Sequence, residues 1–95
     1  MNYNIESNFI TAYNIYQNIK KNINKQTTFQ LYAYFKQANE GNICFEKPSL
    51  LNMDGRNKWI QWKKIENMPS EEAKIKYIQL VYKLTNHPNI DMNEL

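Results

Sequence analysis

Tyr32-Ala33-Tyr34-Phe35-Lys36-Gln37-Ala38, then Lys47-Pro48, then Gly55-Arg56-Asn57-Lys58-Trp59-Ile60-Gln61-Trp62: in this stretch aromatic rings and lysines return at intervals of three and four residues. Side chains so spaced share a helix face, so Tyr32, Phe35 and Lys36 stand together as two rings beside an ammonium. Lys58 and Trp62 form a similar pair in the second cluster, where Trp59 and Trp62 are three apart. Each cluster is apolar surface with a cation at its margin. That surface suits a ligand that is partly apolar and partly phosphorylated.

The rest of the chain extends the helical pattern. Only two glycines and three prolines interrupt 95 residues, which favours helices over a many-turned β fold. This length supports one modest core. With 42% hydrophobic and 14% aromatic residues, that core can be filled despite a mean hydropathy of −0.76. We expect an all-α bundle in a single domain covering 1–95.

Ile5, Phe9, Ala12, Tyr16, Ile19 and Ile23 draw one apolar stripe, predicting a first helix over about 5–21 with Asn14, Asn18 and Lys21 opposite. Most of this stripe reads as core, with Phe9, Ala12 and Tyr13 placed to reach a ligand. Asn24 is the expected N-cap of a second helix ending near Glu40, and Gly41 its stop. Within it Leu31, Tyr34 and Ala38 mark one seam, while Phe29, Tyr32, Phe35 and Lys36 mark another. The stretch 41–54 has no sustained period and reads as a loop lying beside a site, anchored through Cys44 and Phe45. Asp54 is the expected N-cap of a third helix over about 55–66, with Trp62 in the core. Pro69 opens a fourth, whose first turn carries Glu71 and Glu72 and whose buried stripe is Ala73, Tyr77, Val81 and Leu84. His87 and Pro88 close it, and a mobile tail is expected at about 89–95.

Several function classes are disfavoured. The net charge of +3 comes from 12 basic and 9 acidic residues interleaved along the chain, so no phosphate-tracking nucleic-acid face is expected. The lone cysteine and lone histidine, Cys44 and His87, offer neither a disulfide nor a metal pattern, and no nucleophile with an orienting base is visible. We therefore expect no catalysis, no metal and no cofactor. No apolar run approaches membrane-spanning length and no signal peptide is seen, so the expected location is cytoplasmic.

Taken together the residues resemble the acyl-CoA-binding protein family. The resemblance runs without a gap from Thr28 to Leu84. It is carried by Leu31-Tyr32, Phe35-Lys36-Gln37-Ala38, Glu40-Gly41, Lys47-Pro48, Gly55, Lys58-Trp59, Trp62, Met68, Glu71-Glu72-Ala73, Tyr77-Ile78, Val81 and Leu84. It implies a four-helix bundle, monomeric and cytosolic, that binds long-chain acyl-CoA esters unchanged as a carrier and buffer. The alternative is a helical protein-interaction domain with lost or altered ligand binding. The resemblance also implies roles. Tyr32, Lys36 and Lys58 would hold the ribose 3′-phosphate, Phe35 would stack on adenine, Tyr77 would touch the head group and Trp59 the acyl chain. Phe9, Ala12, Tyr13 and Phe29 fall where the family lines its groove. Three departures stand out: Phe35 replaces the usual tyrosine, and Gln17 and Asp54 replace common lysines.

Overall fold

A computed structural model describes residues 2–85, leaving the side chains of residues 2 and 3 aside; the expectations for His87, Pro88 and the tail fall outside this range. Four α-helices follow one another: α1 (Asn2–Ile19), α2 (Lys25–Glu40), α3 (Met53–Lys64) and α4 (Ser70–Thr85). A single 3-10 turn, Lys20–Asn22, joins the first two. The first helix starts three residues earlier than its apolar stripe, because polar residues extend a helix as readily as apolar ones.

The start of α2 is capped as the sequence predicts: the Asn24 side chain accepts from the Thr27 N–H at 2.8 Å. Its end is Gly41, at φ 78° and ψ −150°, a backbone region that side-chain-bearing residues avoid. The start of α3 differs. Asn52, not Asp54, is the N-cap, accepting from the Gly55 N–H at 3.0 Å. Asp54 lies inside the first turn, where the helix dipole also favours a carboxylate, and pairs with Lys25 at 3.8 Å. Gly55 leaves room for this cap: a Cβ there would sit 2.5 Å from the Asn52 side-chain amide and displace it. Pro69 precedes α4 by one residue, with its carbonyl accepting from the Ala73 N–H at 3.0 Å.

Helix α2 packs on both α4 and α3, and α1 lies against α4. The main core therefore joins Ile5, Phe9 and Ala12 of α1 to Leu31 and Ala38 of α2 and to Ala73, Tyr77, Ile78 and Val81 of α4. A second core joins Ala33, Ile43 and Trp62, with Tyr32 and Trp59 packed against it. The first seam expected on α2, Leu31, Tyr34 and Ala38, lies in the main core; of the second, Tyr32 packs on the smaller core, Phe35 joins the main one, and Phe29, though buried, belongs to neither. Leu84 is 40% exposed, whereas Ile78 and Tyr82 are buried. The reason is that α4 meets two neighbours, and its buried face widens around 77, 78, 81 and 82 instead of following a single line.

The 41–52 connection is fastened along its length. Ile43 is its buried residue, while Cys44 is exposed. Phe45 acts through its carbonyl, which accepts from the Trp59 indole at 2.7 Å, and through the edge of its ring against Trp62. Arg56 donates to the Pro48 carbonyl at 3.1 Å.

Asn52→Ala should cost about 1 kcal/mol and lower the melting temperature by roughly 4–8 °C. Gly55→Ala should bring little of the ~1 kcal/mol helix-propensity gain in the wild-type background, because it evicts the cap, but should stabilise the Asn52→Ala background. Thermal melts of the four proteins read this cycle.

Candidate functional site

A polar knot sets the geometry around the site. Gln37 is 1% exposed, and such a group must find partners. Its amide nitrogen donates to Asn42 Oδ1 at 2.9 Å and to the Met68 carbonyl at 3.0 Å, while its Oε1 accepts from the Trp62 indole at 3.0 Å. The same indole N–H is shared with the Gly41 carbonyl at 3.0 Å. Asn42 also accepts from the Asn67 backbone, and Asn67 holds a left-handed φ of 73°. The end of α2, the long loop and the α3–α4 turn are thereby locked together, which fixes how α3 stands beside α2.

A cavity of roughly 200 Å³ opens on the opposite part of α2, lined from all four helices. Tyr13, Tyr16 and Gln17 come from α1, Thr28, Leu31, Tyr32 and Phe35 from α2, Lys58 from α3 and Tyr77 from α4. Its walls are mainly aromatic. Phe35 is stacked against Phe9 and Tyr13 with centroids 5.8 and 5.2 Å away, and Tyr77 meets both phenylalanines at 5.2 and 5.8 Å. Lys58 holds its ammonium 5.2 Å from the Tyr32 ring centre. It is the cation of the lining.

Tyr77 is 2% exposed, yet its hydroxyl makes no hydrogen bond to the described residues. Burial raises its phenol well above the usual value, with the nearby phenols of Tyr16 and Tyr13 adding to the shift. Burial likewise raises Tyr16, with a contribution from Tyr13. A buried, unpaired hydroxyl at the wall of a cavity is costly unless something that enters the cavity answers it.

The residues singled out from sequence divide into four groups. Tyr32, Phe35, Lys58, Tyr77 and Tyr13 meet at the cavity. Lys36 is close by but committed elsewhere: its ammonium pairs with Glu40 and lies 5.9 Å from the Tyr32 ring centre and 5.7 Å from that of Trp62. The hydrogen bond to Glu40 raises its pKa above the ordinary lysine value, against a smaller opposing effect of burial. Phe9, Ala12 and Phe29 are buried and line no part of the cavity, though Phe9 backs Phe35. Trp59 stands apart, its indole N–H on the Phe45 carbonyl and its ring centre 5.6 and 6.0 Å from the ammonium groups of Lys47 and Lys63. Sequence reasoning missed Tyr16, Thr28 and Leu31 as lining residues. Tyr16 was read as part of the core stripe, and its position one turn after Tyr13 was the available signal.

A family model described as Acyl CoA binding protein matches residues 6–81. The chain belongs to that family. Acyl-CoA-binding domain-containing protein 1 of Arabidopsis thaliana is 41% identical over 66 residues, covering 70% of this chain and 20% of that protein. Rat Enoyl-CoA delta isomerase 2 is 31% identical over 81 residues, covering 85% of this chain and 21% of that protein. The chain thus spans about a fifth of the length of these curated relatives. The crystal structure of Oryza sativa Acyl-CoA-Binding Protein 2 superposes with a TM-score of 0.83 at 26% identity, covering 93% of this chain and 96% of that one. The bundle of this acyl-CoA-binding family member is therefore the all-α fold expected from its sequence.

Tyr77→Phe should leave the folded protein as stable as before or slightly more so at pH 7, since the lost hydroxyl has no partner among the described residues. Because its phenol titrates higher when folded than unfolded, stability should fall as pH climbs above about 10. The substitution should flatten that alkaline decline, which chemical denaturation at pH 7 to 11 would register.

Proposed function

We propose that this protein binds long-chain fatty acyl-CoA esters and acts as a cytoplasmic carrier and buffer of them, as a monomer, without altering its cargo. The observation that carries the reading is the meeting of Lys58, Tyr32 and Phe35 with the unpaired hydroxyl of Tyr77 at one cavity, in a chain of this family. A phosphorylated nucleotide offers what each of these groups lacks. A phosphate would take a charge-assisted hydrogen bond from Lys58 and a bond from the Tyr32 hydroxyl. Lys36 would join them by swinging from Glu40, at small cost, because exposed ion pairs are weak. Adenine would lie against the aromatic wall around Phe35, with Tyr13 beside it and Tyr77 donating to the head group.

The cavity is smaller than the ~300–1,000 Å³ usual for a whole small-molecule site, so it suits one part of a larger ligand. The acyl chain then belongs on the bundle surface. The Cα trace is 16 Å through its thinnest direction. That is about two helices packed at ~8–10 Å, which leaves no interior for a long chain. At ~0.8 kcal/mol per methylene, covering about fourteen of them contributes up to ~11 kcal/mol, against about 12 for nanomolar binding. Chain burial therefore sets the preference for long esters, and the head group selects CoA. In this reading Phe9, Ala12 and Phe29 shape the groove from below. Trp59 reaches the acyl chain only where that chain runs past the cavity along α3.

Isothermal titration with a long-chain acyl-CoA, its dephospho analogue and free CoA tests the proposal. The dephospho ester should bind at least tenfold more weakly, and Lys58→Ala should cost roughly 1.5–3 kcal/mol with the full ester and much less with the dephospho one. Equal affinities for the two esters would overturn the assignment of the phosphate, and release of free CoA on incubation would overturn the carrier reading.

A further inference from the structure

Lys20 follows α1 directly, in the 3-10 turn Lys20–Asn22, and its ammonium donates to Gln17 Oε1 at 2.8 Å. Gln17 lines the cavity, so this bond brings a cation to the cavity edge from the α1 side. The kind of partner matters. Lys25, Lys36, Lys63 and Lys74 each pair with a carboxylate, which offsets their charge. An amide oxygen holds an ammonium without offsetting it, and Lys20 makes no ion pair among the described residues. Lys58 is held in a comparable way, against the ring of Tyr32. Both side chains reach the cavity with their charge intact.

The packing order sets these two cations apart. Helix α3 lies against α2, α2 against α4, and α4 against α1. Lys58 on α3 and Gln17 on α1 therefore approach the cavity from its two flanks, with Phe35 of α2 and Tyr77 of α4 between them, their ring centres 5.8 Å apart. A ligand with a phosphate at one end would answer one flank only. A nucleotide phosphorylated at two positions of its ribose reaches both, with its base on the aromatic wall between. A lysine at a helix end also complements the helix dipole, but Lys21 shares that role and makes no side-chain hydrogen bond or ion pair among the described residues.

We propose that Lys20, positioned by Gln17, binds the 5′-pyrophosphate of the nucleotide while Lys58 takes the 3′-phosphate. The inference rests on the acyl-CoA reading of the cavity and extends it to a residue outside the lining. An ammonium has three donor hydrogens, and the bond to Gln17 engages one of them, leaving the others for phosphate oxygens. The same bond restrains a long side chain, so less rotamer freedom is lost when the ligand arrives. With a cation on each flank, the cavity favours nucleotides phosphorylated at both ribose positions over those phosphorylated at one.

Titration calorimetry of the wild type, Lys20→Ala and Lys21→Ala with a long-chain acyl-CoA and with its dephospho analogue tests the proposal. Lys20→Ala should weaken both esters by the same factor, about fivefold, because both carry the pyrophosphate. Lys58→Ala, by contrast, should act chiefly on the full ester. Lys21→Ala should change either affinity by less than about twofold, which separates a placed contact from the general attraction of positive charge. The melting temperature of Lys20→Ala should match that of the wild type, since the side chain is exposed. Unchanged affinity in Lys20→Ala, an equal loss in Lys21→Ala, or a loss confined to the full ester would overturn the proposal and leave the carrier reading standing. Failure of the wild type to bind either ester would overturn both.

Discussion

The architecture depends on one buried amide. Gln37 sits where the apolar seams of α2 run out, and its side chain reconciles three pieces of chain that have no apolar reason to meet. Removing water from an amide is costly, and the cost is offset only when both its protons and its oxygen are engaged. Here all are, by Asn42, by the Met68 carbonyl and by Trp62. The arrangement specifies more than it stabilises: hydrophobic contact alone would tolerate several rotations of α3 against α2, whereas the indole-to-amide bond tolerates few. The position of Lys58, one turn before Trp62 on the same helix, follows from that restriction.

The parts of the fold legible in the sequence are those governed by local chemistry. The Asn24 cap, the Gly41 stop and the 9-12-16 stripe on α1 require only a helix and a solvent boundary. The readings that moved depended on competition between neighbours. Asp54 and Asn52 are both able to cap, and the contest is settled by which backbone enters the helix first. Leu84 continues a stripe drawn for one neighbour, but α4 has two. At the cavity, Tyr32, Phe35 and Lys58 stand at positions to which helical spacing and family resemblance both point, whereas spacing alone puts Tyr77 in the core and only the resemblance brings it toward a ligand. Neither says that Glu40 captures Lys36, or that the Phe45 carbonyl captures the edge of Trp59. Such captures depend on the loop path, which has no period to read.

The aromatic packing carries a further balance. Phe35, where tyrosine is usual in the resembling proteins, has Phe9 and Tyr13 stacked on it and Tyr77 tilted beside it. A ring so surrounded is held by packing and has no need of a hydroxyl to orient it. The hydroxyls of the cavity lining are those of Thr28 and Tyr32 on the same helix and of Tyr13, Tyr16 and Tyr77 on α1 and α4.

The two-helix depth of the bundle bears on how a cargo would leave it. A deep pocket holds its ligand behind protein that must first part, and departure then waits on the fold. A groove on a body 16 Å thick has no such door. Whatever lies in it keeps one side toward water, and its residence time is governed by the contacts it breaks. Under that rule the tightest cargo is also the slowest to be handed on, and any surface that competes for those same contacts shortens the wait.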